Sequence, residues 1–214
     1  NWVLAQFEKN YSMKVLGGYT GSGKTEILLQ LQKSKIPVID LEGLANHKGS
    51  AFGALGQNEQ ASQEQFENNL ARTLFYISTQ HPYFWIEDES QRIGTNMLPI
   101  SFFKNMRNSV CYFIDIPFEY RLQFIVEAYG RFAIADLIAA TLRIQKRLGG
   151  LETKTAVNFL VENNVEAAFS ILLKYYDKVY LKNIETAAIP KLKTEKIVAS
   201  EVHSIHNAGL IMHL

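Results

Sequence analysis

Short apolar runs rich in β-branched and aromatic residues recur along the chain at Met13–Leu16, Ile36–Leu41, Tyr83–Ile86, Val110–Ile116 and Lys178–Leu181. Apolarity that is continuous rather than alternating marks parallel strands covered on both faces, so the pattern predicts five such strands. Helical periodicity fills the intervals. Ser62 and Gln65 form a capping-box pattern ahead of Phe66, Leu70, Leu74 and Ile77, which share one helical face. Pro117 opens a second helix with Leu122, Ile125, Val126 and Tyr129 at core spacing, and Gly130 stops it. A third helix is expected from Ala133 to Leu148, ended by Gly149 and Gly150. Two more, around Thr153–Glu162 and Val165–Tyr175, are parted by Asn163 and Asn164. The middle of the chain is thus a helical block. After Asn183 the pattern decays, leaving room for an edge strand at Lys196–Ala199 and a tail. The stretch from Gly43 to Gln60 has four glycines and no period, and aperiodic segments of that length tend to be functional.

These elements predict an α/β protein: a parallel sheet of about five strands covered by helices, with a helical annex. The expected organisation is an N-terminal extension at 1–12, a domain at 13–182 with its annex at about 118–176, and a C-terminal extension at 183–214. The charge balance is 22 Lys and Arg against 21 Asp and Glu, so no global field steers polyanions and any nucleic acid must be held by a local patch. The single cysteine, Cys111, excludes a disulfide framework and a cysteine-cluster metal site. Its place in an apolar run predicts a buried thiol that fills space. No apolar run is long enough for a membrane span and no secretory signal opens the chain, so a cytoplasmic protein without membrane partners is expected. Asn1 in place of Met suggests that a longer polypeptide precedes it.

One motif carries chemistry by itself. Residues Gly18 to Thr25 match GxxxxGK[ST], directly after an apolar run and directly before the helical pattern Ile27, Leu28, Leu31. This is the Walker A loop of a P-loop NTPase-like fold. Gly18, Gly21, Ser22 and Gly23 let backbone amides turn toward a phosphate, with the following helix adding its positive end. Lys24 reaches the terminal phosphate, and the Thr25 hydroxyl joins a Mg²⁺ shell. The acid that holds this metal through water is expected at the end of a neighbouring strand. Asp88 is the first candidate there and Glu87 the alternative. Asp40 and Glu42 close the second strand, and either can accept a proton or orient a substrate. Arg92, Arg121 and Arg131 are candidates for neutralising a leaving diphosphate. Arg143, Lys146, Arg147 and Lys154 form the best local patch for a nucleic-acid backbone. His47, Lys48 and Ser50 mark the aperiodic loop as one that closes over substrate.

Four segments resemble the P-loop half of the bacterial tRNA 2-selenouridine synthase family: Val15–Thr25, Val38–Gly53, Trp85–Gly94 and Pro117–Arg121. The likeness covers roughly Met13 to Leu181. The chain departs from the family pattern at Lys48 and Gln91, where Arg is usual. The resemblance implies replacement of the sulfur of wobble 2-thiouridine in tRNA by selenium, through an S-geranylated intermediate made from geranyl diphosphate, with selenophosphate as selenium donor. It also implies a rhodanese domain with a reactive cysteine, supplied in cis outside these residues or in trans. Without the resemblance, the residues also suit an ATP-dependent small-molecule or nucleotide kinase with Asp40 as base, or a non-catalytic nucleotide-switched module that docks tRNA.

Overall fold

In a computed structural model, which describes residues 1–186 and 193–214, the chain runs α1 (Trp2–Phe7), β1 (Met13–Gly18), α2 (Lys24–Lys33), β2 (Val38–Ile39), α3 (Leu41–Ala45), α4 (Gln63–Gln80) and β3 (Phe84–Glu87). It continues through β4 (Arg92–Ile93), β5 (Asn96–Met97), α5 (Ile100–Arg107), β6 (Val110–Asp115) and α6 (Phe118–Tyr129). The last elements are α7 (Ile134–Arg143), α8 (Gln145–Leu148), α9 (Gly150–Val161), α10 (Val165–Thr186), β7 (Lys193–Val198) and α11 (Ser204–Ile211). Five strands form a parallel sheet in the order β2-β3-β1-β6-β7, while β4 and β5 make a separate antiparallel pair.

Side chains of successive strand residues point to opposite faces, and both faces here are covered. Met13, Val15, Phe84 and Ile86 pack with Phe7 of α1, Phe66, Leu70 and Leu74 of α4, and Phe102 of α5. Leu16, Trp85 and Ile114 pack on the other side with Ile27, Leu28 and Leu31 of α2 and with Ala208 and Ile211 of α11. Residues 1–12 therefore add to the main core through Phe7 and Tyr11. A third cluster, with Leu137, Ala140, Ile144, Leu160, Phe169 and Leu172, forms the interior of the annex built by α6 to α10.

The local signals were sound where they named a cap. Ser62 Oγ accepts from Gln65 N at 3.2 Å at the start of α4, and Gly130 follows α6 as its C-cap. The Gln65 side chain also reaches forward along the helix, its Nε2 donating to Asn69 Oδ1 at 2.9 Å. The structure differs from expectation in four places. Lys178–Leu181 is not a strand but part of α10, because Phe169, Leu172, Leu173, Tyr176 and Tyr180 continue one helical face. The fifth strand is β7, which overlaps the expected edge strand and is mostly exposed, as an edge can be. The second strand ends early: Asp40 Oδ1 accepts from Gly43 N at 2.7 Å, and this cap turns the chain into α3. The expected single helix at Ala133–Leu148 is broken at Ile144 into α7 and α8. Residues 187–192 of the expected C-terminal extension lie outside the described residues. Among the described residues, no helix is long and apolar enough to cross a membrane.

Candidate functional site

The carboxyl end of β1, an interior strand, delivers the glycine loop to the carboxyl-terminal end of the sheet. Gly21 and Gly23 have φ of 81° and 70°, left-handed values that an L side chain adopts only with strain. Gly21 has a second constraint, since a Cβ there would lie 2.8 Å from Ile125 Cγ1 and 2.9 Å from the Arg121 carbonyl oxygen. The loop is thus wedged under α6, and its geometry depends on the annex. Lys24 begins α2, and its ammonium donates to the Gly18 carbonyl oxygen at 3.0 Å. The side chain curls over the cradle whose phosphate it would bind. Ser22 Oγ is buried and has no hydrogen-bond partner.

Around this loop lies a cavity of about 520 Å³ with a mixed lining. Its polar lining comes from Gly18, Thr20 to Glu26, Glu42, Lys48 to Ser50 and Glu87 to Gln91. Its apolar lining comes from Phe103 of α5, Phe124, Ile125 and Ala128 of α6, and Phe169, Leu172, Leu173 and Val179 of α10. Tyr129, Tyr176 and Tyr180 line it as well.

The sequence-predicted acids are distributed differently from expectation. The carboxylate that meets the Thr25 hydroxyl is Glu42, with Thr25 Oγ1 donating to Glu42 Oε2 at 2.8 Å. Asp88 lines the cavity, but its oxygens are taken by Arg107 Nη1 at 2.5 Å and Tyr180 OH at 2.9 Å. Glu87 accepts from the Glu42 backbone N–H at 2.7 Å through Oε1, while its buried Oε2 has no partner. Loss of solvation, and then the neighbouring Asp40 charge, holds Glu87 well above the usual carboxyl range. Glu42 is raised by the same first cause. Glu89, partly open to the cavity, is pushed up to about 8 by loss of solvation and then by Glu42. Crowded carboxylates beside a hydroxyl, one with an orphaned buried oxygen, suit a hard divalent cation. Among the described residues no three His, Cys, Asp or Glu side chains form a metal cage. Thr25 and Glu42 are therefore the protein groups that would hold Mg²⁺, with phosphate and water completing the shell, as this ion commonly requires.

Asp40, used in capping α3, is not in the cavity wall. Arg92 is exposed on β4, its Nε bonded to the Gly94 carbonyl at 2.9 Å, and it too lies outside the wall. Arg131 is exposed with its guanidinium over Phe132. Arg121 is buried and structural. It makes a two-pronged pair with Asp177 at 2.9 and 2.8 Å and donates to the Thr20 carbonyl at 3.0 Å, joining α6, α10 and the phosphate loop. The cavity arginine is Arg107, at the end of a helix that no motif distinguished.

Within the aperiodic loop, Lys48 and Ser50 line the cavity, whereas the His47 ring is buried against Gly53 with Nδ1 unpartnered. Burial, and then the Arg143 charge, lowers the His47 pKa. The loop is not free: Phe52 is buried in the annex cluster, and Ala51 N donates to Tyr176 OH at 3.2 Å. Cys111 is buried beneath Gly17, its thiol pushed up to about 12 by burial, as its apolar neighbours predicted. The apolar wall was the part missed. In a sequence, a side chain facing a cavity has the same helical spacing as one facing a core.

The family model described as the tRNA 2-selenouridine synthase AAA domain matches residues 11–204. A tRNA 2-selenouridine synthase from Shewanella frigidimarina is 36% identical over 214 residues, covering 86% of this chain and 57% of that protein. One from Nitrosomonas europaea is 40% identical over 130 residues, covering 59% of this chain and 33% of that protein. A crystal structure of an uncharacterized protein from Eubacterium ventriosum overlaps with a TM-score of 0.39 at 14% identity, covering 94% of this chain and 96% of that one. That superposition is too distant to speak for the fold, which stands on the strand order itself. The chain spans about half the length of the curated relatives it matches. It belongs to the tRNA 2-selenouridine synthase family, of which it carries the P-loop domain.

Proposed function

We propose that this chain is the transferase part of a tRNA-modifying enzyme: it binds geranyl diphosphate and passes the geranyl group to the sulfur of wobble 2-thiouridine. The single observation that carries this reading is the mixed lining of the cavity. A glycine loop with Lys24 and Thr25 suits the diphosphate, and the apolar side chains of α5, α6 and α10 that line the same cavity suit a hydrocarbon tail. In the transfer, the sulfur–C1 bond forms as the C1–diphosphate bond breaks. Diphosphate leaves, and the N3 proton of the thiouridine passes to solvent. The thiocarbonyl sulfur is a good nucleophile, so the protein's work is to hold the two partners and to stabilise charge. Lys24 and the loop amides hold the leaving diphosphate, Thr25 and Glu42 would hold Mg²⁺, and the apolar lining excludes water from C1. Mg²⁺, when bound, neutralises the departing diphosphate.

The selenium step is a separate matter. Selenophosphate is the expected co-substrate of the complete enzyme, and a rhodanese domain in cis or in trans would provide the thiolate chemistry. Cys111 is unsuited to that role, since burial keeps it a thiol. A tRNA substrate implies work in the cytoplasm. The kinase alternative requires Asp40 as a base, a role at odds with its cap hydrogen bond. The test is to incubate the chain with thiolated tRNA, geranyl diphosphate and Mg²⁺ and to analyse the nucleosides by mass spectrometry. Geranylated thiouridine supports the reading; its absence under conditions where geranyl diphosphate binds refutes the transferase assignment.

A further inference from the structure

Two arginines meet the walls of the site, and their donors are used differently. Arg121 is spent: Nε donates to the Ile116 carbonyl at 3.0 Å, Nη1 to the Thr20 carbonyl and to Asp177, and Nη2 to Asp177, and its side chain is 4% exposed. Arg107 lines the cavity, its side chain is 17% exposed, and among the described residues it has one hydrogen-bond partner, Asp88 Oδ1 at Nη1. A guanidinium carries five N–H donors in a planar fork, so Nε and Nη2 of Arg107 keep donors to offer. The arm is held from behind. Asp88 accepts from Tyr180 OH at 2.9 Å on its other oxygen, and its backbone N–H donates to the Leu16 carbonyl at 2.8 Å. Lys24 rests on the Gly18 carbonyl of the same strand, so the anchor points of the two cations lie two residues apart, about 7 Å of extended chain and the scale of a diphosphate. One turn back on α5, Phe103 lines the cavity too, so charged and apolar lining adjoin on this helix. The basic residues expected to meet nucleic acid stand apart from this lining. Lys146 and Lys154 border a separate groove on the annex, and Arg143 and Arg147 are exposed on α7 and α8.

We infer that Arg107 is the second cationic arm of the phosphate site: the glycine loop with Lys24 holds one phosphoryl group of the ligand, and the open nitrogens of Arg107 hold the other. This rests on the proposed function only for what the second phosphoryl group carries. In prenyl transfer it is the group joined to C1. Negative charge collects on its bridging oxygen as the C1–oxygen bond breaks, and an arginine fixed in place beforehand stabilises that charge without reorganising. Asp88 is then a positioning residue, which aims the guanidinium and acts through it.

The experiment titrates the chain by calorimetry, in Mg²⁺, with pyrophosphate and with inorganic phosphate. Arg107→Gln should weaken pyrophosphate binding by about tenfold or more, the worth of a charged hydrogen bond, and change phosphate binding less than about twofold, because a single phosphoryl group needs only the loop. Arg107→Lys keeps the charge without the fork and should fall between the two. Because Arg107→Gln strands the Asp88 charge, the Arg107→Gln, Asp88→Asn double variant serves where the single one fails to fold, with the same selective loss expected. Asp88→Asn alone leaves the cation in place without its aim and should cost less pyrophosphate affinity than Arg107→Gln. Equal losses for the two ligands, no loss of pyrophosphate affinity without Arg107, a larger loss from Asp88→Asn than from Arg107→Gln, or failure of either ligand to bind the unmodified chain would overturn the assignment. Geranyl diphosphate is titrated alongside: if it binds no more tightly than pyrophosphate, the proposed function fails, while Arg107 is decided by the pyrophosphate and phosphate series alone.

Discussion

At the scale of single residues, Lys24 is the group on which the phosphate site turns. Its ammonium rests on the Gly18 carbonyl, and under the proposed function it would exchange that bond for a phosphate oxygen. Lys24→Ala should weaken geranyl diphosphate binding by about tenfold to a hundredfold, the worth of one charged hydrogen bond, with the melting temperature unchanged. Calorimetric titration beside a thermal melt checks both halves. Glu87 gives a pH prediction. A carboxyl whose folded-state pKa lies above its ordinary value of 4.5 binds its proton more tightly when folded, so folding stability falls as pH rises from 4.5 through the raised value. Glu42 and Glu89 act in the same direction. Without metal, melts should show stability declining from about pH 5 toward pH 8, and Glu87→Gln should flatten that decline. An equally steep decline in the variant would remove Glu87 as a source. Lys24 and Thr25 were legible because the glycine loop works through backbone geometry, which a motif encodes directly. The partner acid was not: strand ends offered Asp40, Glu42, Glu87 and Asp88, and only the cap at Asp40, which turns the chain into α3, brings Glu42 to Thr25.

At the scale of elements, the annex and the phosphate loop are one mechanical unit. Arg121 fastens α6 to α10 through Asp177 and to the loop through the Thr20 carbonyl, and Gly21 leaves room for α6 to sit on the loop. Arg121→Ala strands the Asp177 charge and should cost about 3 kcal/mol, toward the low end for a buried pair because Asp177 keeps some exposure. Denaturant unfolding measures this, and the Arg121→Ala, Asp177→Ala double variant should lose less than the sum of the two singles. Helix identity was legible from periodicity in α4 and α6. The end of α10 was not, because Val179, Tyr180 and Leu181 satisfy a strand and a helix alike until the longer face from Phe169 to Tyr180 is seen.

At the scale of the whole molecule, sheet, annex and loop together line a single cavity with both charged and apolar groups, the feature on which the proposed prenyl transfer rests. The parallel sheet was legible from its apolar runs; the cavity was not, since it exists only where α5, α6 and α10 converge over β1 and β3. Ala128 belongs to the apolar lining, so Ala128→Phe should fill part of the cavity and reduce affinity for geranyl diphosphate while sparing pyrophosphate. The most direct test of the account is calorimetric titration of the unmodified chain, in Mg²⁺, with geranyl diphosphate, pyrophosphate and ATP. Each buried methylene is worth up to about 0.8 kcal/mol, so the account predicts geranyl diphosphate binding at least about tenfold more tightly than either of the others. Equal affinity for geranyl diphosphate and pyrophosphate, or tightest binding of ATP, would contradict it.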